Sequence, residues 1–410
     1  MVSVLVVEDE QEKKRLIMSC ILAIDGVDRR DVVQVDNVSD AKQRISERTF
    51  DLMVLDLNIP RRGEDVPVSC GGLEVISFVR TNLKAHPPTY ILGLTAFDDA
   101  FAAASVEFSS GLWKLARFSS NDESWKVWLR NAIEHLVRIS KPPFRGDGRS
   151  FHFDCGVVVA IEEEQAAVEG LAENLSEFSL PHDHAVYQVF GIKSPFGLLR
   201  SVMLRSPVMG IAPAAVSTSS LIYNFRPRLL GTVGICAGVR GKVALGDVLI
   251  ADPCFDWGGG KWVEEADGKR HFLPAPYQWR LDIAIRSIVA SFSRNESFLQ
   301  EIHSSFNGLK PDSPPAIHID AMASGAAVIQ AGALMIELRS QHKNLIGVDM
   351  ENYAVFTAAN HCSVPRPRVV AIKGVSDFGD HEKGESFRDF AAHASARVFW
   401  ELARSLDWRA

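Results

Sequence analysis

Basic residues are in the minority in this chain of 410: Lys and Arg number 44 against 51 Asp and Glu, a formal net charge of −7. General nucleic-acid binding replaces counterions with Lys and Arg, so the balance argues against it, while a local basic pocket for a small anion stays open. Cysteine is sparse as well. The six, Cys20, Cys70, Cys155, Cys236, Cys254 and Cys362, form no CxxC pair and follow no regular spacing, which argues against a structural zinc site or a dense disulfide framework. Long apolar runs are missing. The most apolar stretch, 321–336, is interrupted by Ser324, Gly325, Gln330 and Gly332, short of the ~20 apolar residues a bilayer span needs. The opening MVSVLVVEDE carries Glu8 and Asp9 and does not read as a secretory signal. A cytoplasmic protein that engages neither membrane nor nucleic acid fits all of these.

What is present is ordinary for a folded protein, with 47% apolar and 23% charged residues. At roughly 100–200 residues per domain, the length allows two or three. The segment SKPPFRGDGRS, with Pro142, Pro143, Gly146 and Gly148, breaks helices and marks a loop. It divides the chain into a block over 1–140, a linker over 141–152 and a block over 153–410. In the first block, buried-strand patterns at 3–7, 52–55 and 90–94 alternate with helical spacing at 12–24, 39–47 and 125–139. That alternation predicts a doubly wound parallel sheet with helices on both faces. The second block repeats it at larger scale, with strands at 156–161, 229–236, 248–251, 316–319, 345–348 and 368–372. Its closing helix, 388–406, would bury one face made by Phe387, Phe390, Ala391, Ala394, Val398 and Leu402.

Ligands of such sheets sit beyond the carboxyl ends of the strands. In the first block Glu8 and Asp9, Asp56, and Thr95 each follow a predicted strand. Three carboxylates at one sheet edge suit a hard divalent cation such as Mg²⁺, which would neutralise a phosphoryl group attacked by Asp56. The segments VLVVEDE, DLMVLDLNIP and LTA, in this order and spacing, resemble the receiver domain of response regulators, a flavodoxin-like fold. The resemblance implies phosphorylation of Asp56 by a partner histidine kinase, Mg²⁺ ligation by Glu8, Asp9 and Asp56, and Thr95 as the switch hydroxyl. Receivers also carry a strand-end lysine, usually before a proline. Here the region reads GLWKLARFSS, so Lys114 or Arg117 would have to take that role. An insertion, RRGEDVPVSCGG, lengthens the loop after Pro60.

The second block carries AIEEEQAAV, TVGICAGVRGKVALGDVLIAD, IGVDMENYAV and IKGVSDFGD. Gly234, Gly238 and Gly241 read as turns that let backbone approach a ligand closely. ALGD, VDME and SD in this order resemble the nucleoside phosphorylase and nucleosidase superfamily, implying a three-layer α/β/α domain. Cleaving an N-glycosidic bond passes through an oxocarbenium-like sugar cation. By resemblance, Asp377 is the general acid that protonates the leaving purine, and Ser376 orients it. Glu351 holds the ribose hydroxyls, Met350 touches the sugar face, and Glu164 activates water. Phosphorolytic members bind phosphate where this chain has Thr232 and Ile235, neither of which pairs an anion, so hydrolysis is expected, with no cofactor for the glycosidase step. Val328 stands where nucleosidases stack an aromatic on the base, and Phe378 is the substitute.

A receiver placed before a nucleosidase resembles the effector of bacterial defensive two-component (Detocs) anti-phage systems, whose effector cleaves ATP to adenine and ribose 5′-triphosphate. The GICAGVRGK segment resembles effector-type members too. For a nucleotide, Arg240 and Lys242 are the first candidates to hold phosphates, with Lys193, Arg200, Arg205 and Lys383 in reserve. The leading expectation is a phosphorylation-gated purine nucleotide N-glycosidase. The alternatives are a regulated methylthioadenosine/S-adenosylhomocysteine nucleosidase, a purine nucleoside phosphorylase, or a non-catalytic nucleotide sensor. Superfamily analogy adds a homo-oligomer.

Overall fold

The runs VLVV and LMVL are central strands of the first unit, buried on both faces because helices cover both. In the computed structural model, which describes residues 2–109, 113–119, 122–144, 148–181, 183–380 and 387–408, the chain divides into Met1–Ser150 and Phe151–Ala410. The first unit runs β1 (Val4–Val7), α1 (Gln11–Leu22), β2 (Val32–Val35), α2 (Val38–Glu47), β3 (Leu52–Leu55), α3 (Gly71–Thr81), β4 (Tyr90–Thr95), α4 (Asp98–Ser109), β5 (Lys114–Arg117) and α5 (Ser124–Ile139). The sheet order is β2-β1-β3-β4-β5, with every pairing parallel. Alternate strand residues feed two cores. Val4, Val6, Leu52, Val54, Leu92 and Leu94 pack with α1 and α5, and Leu5, Val7, Met53, Leu55 and Ile91 pack with α2, α3 and α4. In α5, Trp125, Leu129, Ile133 and Leu136 form the buried stripe that helical spacing predicts.

The second unit runs β6 (Phe153–Val159), α6 (Glu162–Glu169), β7 (Glu173–Ser179), β8 (Val186–Ser194), β9 (Gly197–Arg205), α7 (Ile211–Phe225), β10 (Pro227–Gly238), β11 (Val248–Asp256), β12 (Gly260–Glu264) and β13 (Arg270–Pro274). It continues with β14 (Gln278–Trp279), α8 (Ile283–Phe292), α9 (Glu296–Ser304), β15 (Ile317–Ser324), α10 (Gly332–Gln341), β16 (Gly347–Asp349), α11 (Asn352–His361), β17 (Arg368–Asp377) and α12 (Arg388–Ser405).

The large sheet is mixed. β10 pairs in parallel with β6 and β17 but antiparallel with β16, and β17 is antiparallel to β11. Since β15 pairs with both β11 and β16, the strands β10, β16, β15, β11 and β17 close a hydrogen-bonded circuit. The antiparallel β7–β9 strands and the β12–β13 hairpin escape the sequence reading. β7 is largely exposed, and a strand without a buried face shows no apolar alternation. Helix α12 is buried well beyond one face, including Ala392, Ala396, Phe399, Trp400 and Ala403. It lies on β10 and β17 with α6, α8 and α9 beside it. Gly374 permits that approach, because a Cβ there would collide with the backbone of Ala391. No described helix is long and apolar enough to cross a membrane.

Candidate active site

In the second unit, the ends of β10 and β17 and the turn after β16 converge, with Ala237 beside both Val348 and Asp377. A cavity of about 260 Å³ opens there, lined by Glu164, Ile235, Met350, Glu351, Ser376 and Asp377 among others. The triplet Glu162–Glu164 splits by direction. Glu162 faces solvent, whereas Glu164 turns inward and is buried. Its Oε2 accepts from the Ala160 and Ile161 N–H groups at 2.7 and 3.3 Å, and its Oε1 accepts from the Ile235 N–H at 2.8 Å. A helix-capping contact and a link to β10 thus fix one carboxylate on the cavity wall. Gly234 lies within β10 rather than in a turn, and its missing Cβ makes room for the Glu164 carboxylate rather than for a ligand. Of the glycines read as turns, Gly241 alone has positive φ.

Glu351 begins α11. Its Oε1 accepts from the Gly210 N–H at 3.1 Å, and its Oε2 faces Lys373 Nζ at 3.4 Å. Asp377 ends β17, where its Oδ1 accepts from the Gly379 N–H at 2.8 Å and its Oδ2 from the Ser376 hydroxyl at 3.1 Å.

Two charged groups of this site escaped the sequence reading. Lys373, fully buried in β17, points its Nζ at Glu164, Asp349 and Glu351, at 3.7, 3.7 and 3.4 Å. Asp349, also buried, accepts from the Ser324 hydroxyl at 2.7 Å and from the N–H groups of Glu351 and Asn352, so it shapes the turn that presents Glu351. Three carboxylates facing one ammonium leave a net negative charge in a buried place. Burial first, with repulsion from Glu351, raises the Glu164 and Asp349 carboxyls, and Lys373 opposes both shifts. Burial alone would lower the Lys373 ammonium, but Glu164, Glu351 and Asp349 outweigh it and the net shift is upward. The signal in the sequence is Lys373 itself, a charge inside the apolar run VVAIKGV.

Other expectations are corrected. Arg240 does not reach the cavity: it pairs with Asp380 at 2.7 Å and lies over the Phe378 ring at 4.5 Å. Phe378 is therefore engaged by a guanidinium and does not line the cavity, while Val328 does. Lys242 donates to the Lys343 carbonyl at 2.7 Å, also away from the cavity. Lys193 pairs with Glu173, Arg205 lines a separate cavity, Arg200 lines neither, and Lys383 lies outside the described residues. The cation on the described cavity wall is Arg388, at the start of α12 and 3.3 Å from Glu163. Thr232 is buried within β10.

In the first unit, Glu8, Asp9 and Asp56 converge at the carboxyl ends of β1 and β3, and an oxygen from each lies within 4.8 Å of the others. Burial, reinforced by Asp56, raises the Glu8 carboxyl to about 7 against the pull of Lys13. Thr95 is buried at the end of β4, and its hydroxyl accepts from the Phe97 N–H at 3.2 Å. Lys114 is not the strand-end cation. It opposes Leu92 at the start of β5, the end remote from Thr95, and it is exposed. Arg117 opposes Thr95 but turns to Asp98 at 3.1 Å. The cation present is Lys13 of α1, 2.8 Å from both Glu8 and Asp56.

A cavity with buried carboxylates at strand ends of a mixed α/β sheet is the arrangement of an enzyme site. The chain belongs to the phosphorylase superfamily, whose family model matches residues 154–406. The protein y4jS of Sinorhizobium fredii is 27% identical over 405 residues, spanning 96% of this chain and 97% of y4jS, hence both units. ATP nucleosidase Cap17 of Escherichia coli is 28% identical over 197 residues, which cover 46% of this chain and 38% of Cap17. A 5′-methylthioadenosine/S-adenosylhomocysteine nucleosidase of Staphylococcus aureus is 23% identical over 245 residues, 58% of this chain and 93% of that enzyme.

Proposed function

We propose that the second unit hydrolyses the N-glycosidic bond of a purine nucleotide, with ATP as the first candidate, and that the first unit is a receiver whose phosphorylation at Asp56 gates it. The observation that carries the chemistry is the sharing of one cavity by Glu164, Glu351 and Asp377. Asp377 donates a proton to the leaving purine while the C1′–N9 bond breaks. Glu164 takes a proton from the water whose oxygen bonds to C1′. Glu351 accepts from the ribose hydroxyls and stabilises positive charge on the ring. Water suits this site better than phosphate, because Ile235 and Thr232 supply no cation at the positions that resemble the anion site of phosphorolytic members. The products are adenine and ribose 5′-triphosphate. Arg388 is placed to pair with the nucleotide's phosphates by exchanging Glu163 for them. Similarity to Cap17 supports ATP. The apolar wall residues Ile161, Met209 and Ile329 favour a second reading, a methylthioadenosine-type substrate.

For the first unit, the hard oxygen donors of Glu8, Asp9 and Asp56 fit Mg²⁺, which would offset charge during phosphoryl transfer. A histidine kinase would be the natural phosphodonor. The test is chromatography of ATP, adenosine and methylthioadenosine after incubation with the full chain, with and without Mg²⁺ and acetyl phosphate. Adenine should appear fastest from ATP with the phosphodonor, and Asp56→Asn should lose the stimulation. Faster release from methylthioadenosine would select the second reading.

Gly234 gives an independent check on Glu164. Since a Cβ there would overlap its carboxylate, Gly234→Ala should cut base release about 100-fold, the cost of misplacing a reacting group by roughly 1 Å. The melting temperature should fall far less than the activity. Parent-level release in a folded Gly234→Ala protein would remove Glu164 from the base role.

A further inference from the structure

The buried cation beside Asp56 comes from a place the receiver pattern does not use. Lys13 sits in the first turn of α1 with its side chain 2% exposed. Its Nζ lies 2.8 Å from Glu8 Oε2, 2.8 Å from Asp56 Oδ2 and 3.1 Å from the Leu94 carbonyl. The Leu94 contact is a hydrogen bond and the two carboxylate contacts are close ion pairs. Just past β5, the chain places Phe118. Its N–H donates to the Thr95 carbonyl at 2.8 Å, and its ring lies 5.2 Å from Lys13 Nζ. The neighbouring Lys14 points elsewhere, to Asp36. At the end of β5 an aromatic thus lies beside the site, and the lysine comes from α1.

We propose that Lys13 is the positioning cation of the Asp56 site, and that it competes with a divalent cation for Glu8 and Asp56. The inference rests on the receiver reading. Paired at 2.8 Å with both Glu8 and Asp56, Lys13 already neutralises charge that a metal ion would meet there, so the two cations compete for these carboxylates. Its ammonium also faces Asp56, where a phosphoryl group would arrive. Transfer from phosphoramidate breaks the P–N bond, forms a P–O bond to an Asp56 oxygen and releases ammonia. The acyl phosphate adds negative charge beside Glu8 and Asp9, more than one divalent ion neutralises, and Lys13 supplies a further positive charge.

The two roles predict opposite effects of one substitution. In Lys13→Met, Mg²⁺ loses a competitor and a like charge, so it should bind about tenfold tighter by calorimetry. The same variant, incubated with phosphoramidate and Mg²⁺, should hold at least about tenfold less acyl phosphate by intact-protein mass. A purely structural lysine would weaken both together. Lys14→Met should change neither, and Lys13→Arg should stay near the parent in Mg²⁺ affinity. If circular dichroism shows that Lys13→Met does not fold, Lys13→Gln, which also removes the charge, reads the same two quantities. Unchanged or weaker Mg²⁺ binding in a folded charge-removed variant would overturn the inference. If instead the parent takes no phosphoryl group and Asp56→Asn binds Mg²⁺ as the parent does, the receiver reading falls, and the inference with it.

Discussion

Asp377→Asn is expected to lower kcat for adenine release from ATP by about 10³-fold, the middle of the range for removing a general acid, with little change in nucleotide binding. The side chain ends β17 with both oxygens engaged, Oδ1 by the Gly379 N–H and Oδ2 by the Ser376 hydroxyl. Asn keeps the size and can keep one of these bonds, so the cavity keeps its shape. What it cannot do is pass a proton to the purine as the C1′–N9 bond lengthens. The loss should therefore appear in kcat and in kcat/KM equally, the mark of an interaction made only in the transition state. Single-turnover release of adenine, followed by chromatography, separates this from a binding defect. Release from Asp377→Asn at the parent rate would exclude Asp377 as the acid and with it the proposed reaction. Ser376→Ala should cost less, since that hydroxyl orients the acid and leaves the proton in place.

The split between legible and illegible residues follows from how each is placed. Asp9, Asp56, Thr95, Glu351 and Asp377 lie at or just past strand ends. In the first unit local pattern marks the strands and parallel pairing brings their ends together, whereas Glu351 and Asp377 were read from resemblance and meet because antiparallel β16 and parallel β17 both pair with the end of β10. Lys13 and Lys373 were out of reach for the opposite reason. Each meets partners distant in sequence, such as Leu94 for Lys13 and Glu164 for Lys373. Only the fold shows which acids they meet. Arg240, Lys242 and Lys114 erred the other way. Their charge suggested anion binding, but direction decides, and Arg240 turns to Asp380 while Lys242 turns to a backbone carbonyl. The mixed sheet was missed because β16 is three residues long, too short to show its direction, and because β7 has no buried face. Arg388 opens a helix whose apolar residues were legible, yet nothing in that pattern says its first residue reaches the cavity.

Lys373→Met is expected to be the other large effect, and its sign can be worked out. Glu164 must be ionised to take a proton from water. Burial already raises its carboxyl, the neighbouring Glu351 adds to the rise, and Lys373 is the charge that resists. Removing the ammonium pushes the carboxyl further up, so less of the base is ionised at neutral pH. Base release at pH 7 should fall about 100-fold, within the range for a lost general base, and should partly recover as the pH is raised. The acidic limb of the pH–rate profile therefore moves to higher pH, whereas damage to packing alone would lower the rate at every pH without moving the limb. Stability follows the same groups. A carboxyl whose folded pKa lies above its unfolded value penalises folding once the pH passes the unfolded pKa. In the variant, Glu164, Asp349 and Glu351 face one another without their cation, a loss of about 3–5 kcal/mol for breaking a buried ion pair. The melting temperature of Lys373→Met should thus be closest to the parent in mild acid and fall behind as pH rises, and Lys373→Arg should restore most of it. A variant that is folded, equally stable across this range and unchanged in its acidic limb would show that Lys373 does not govern the charge of Glu164.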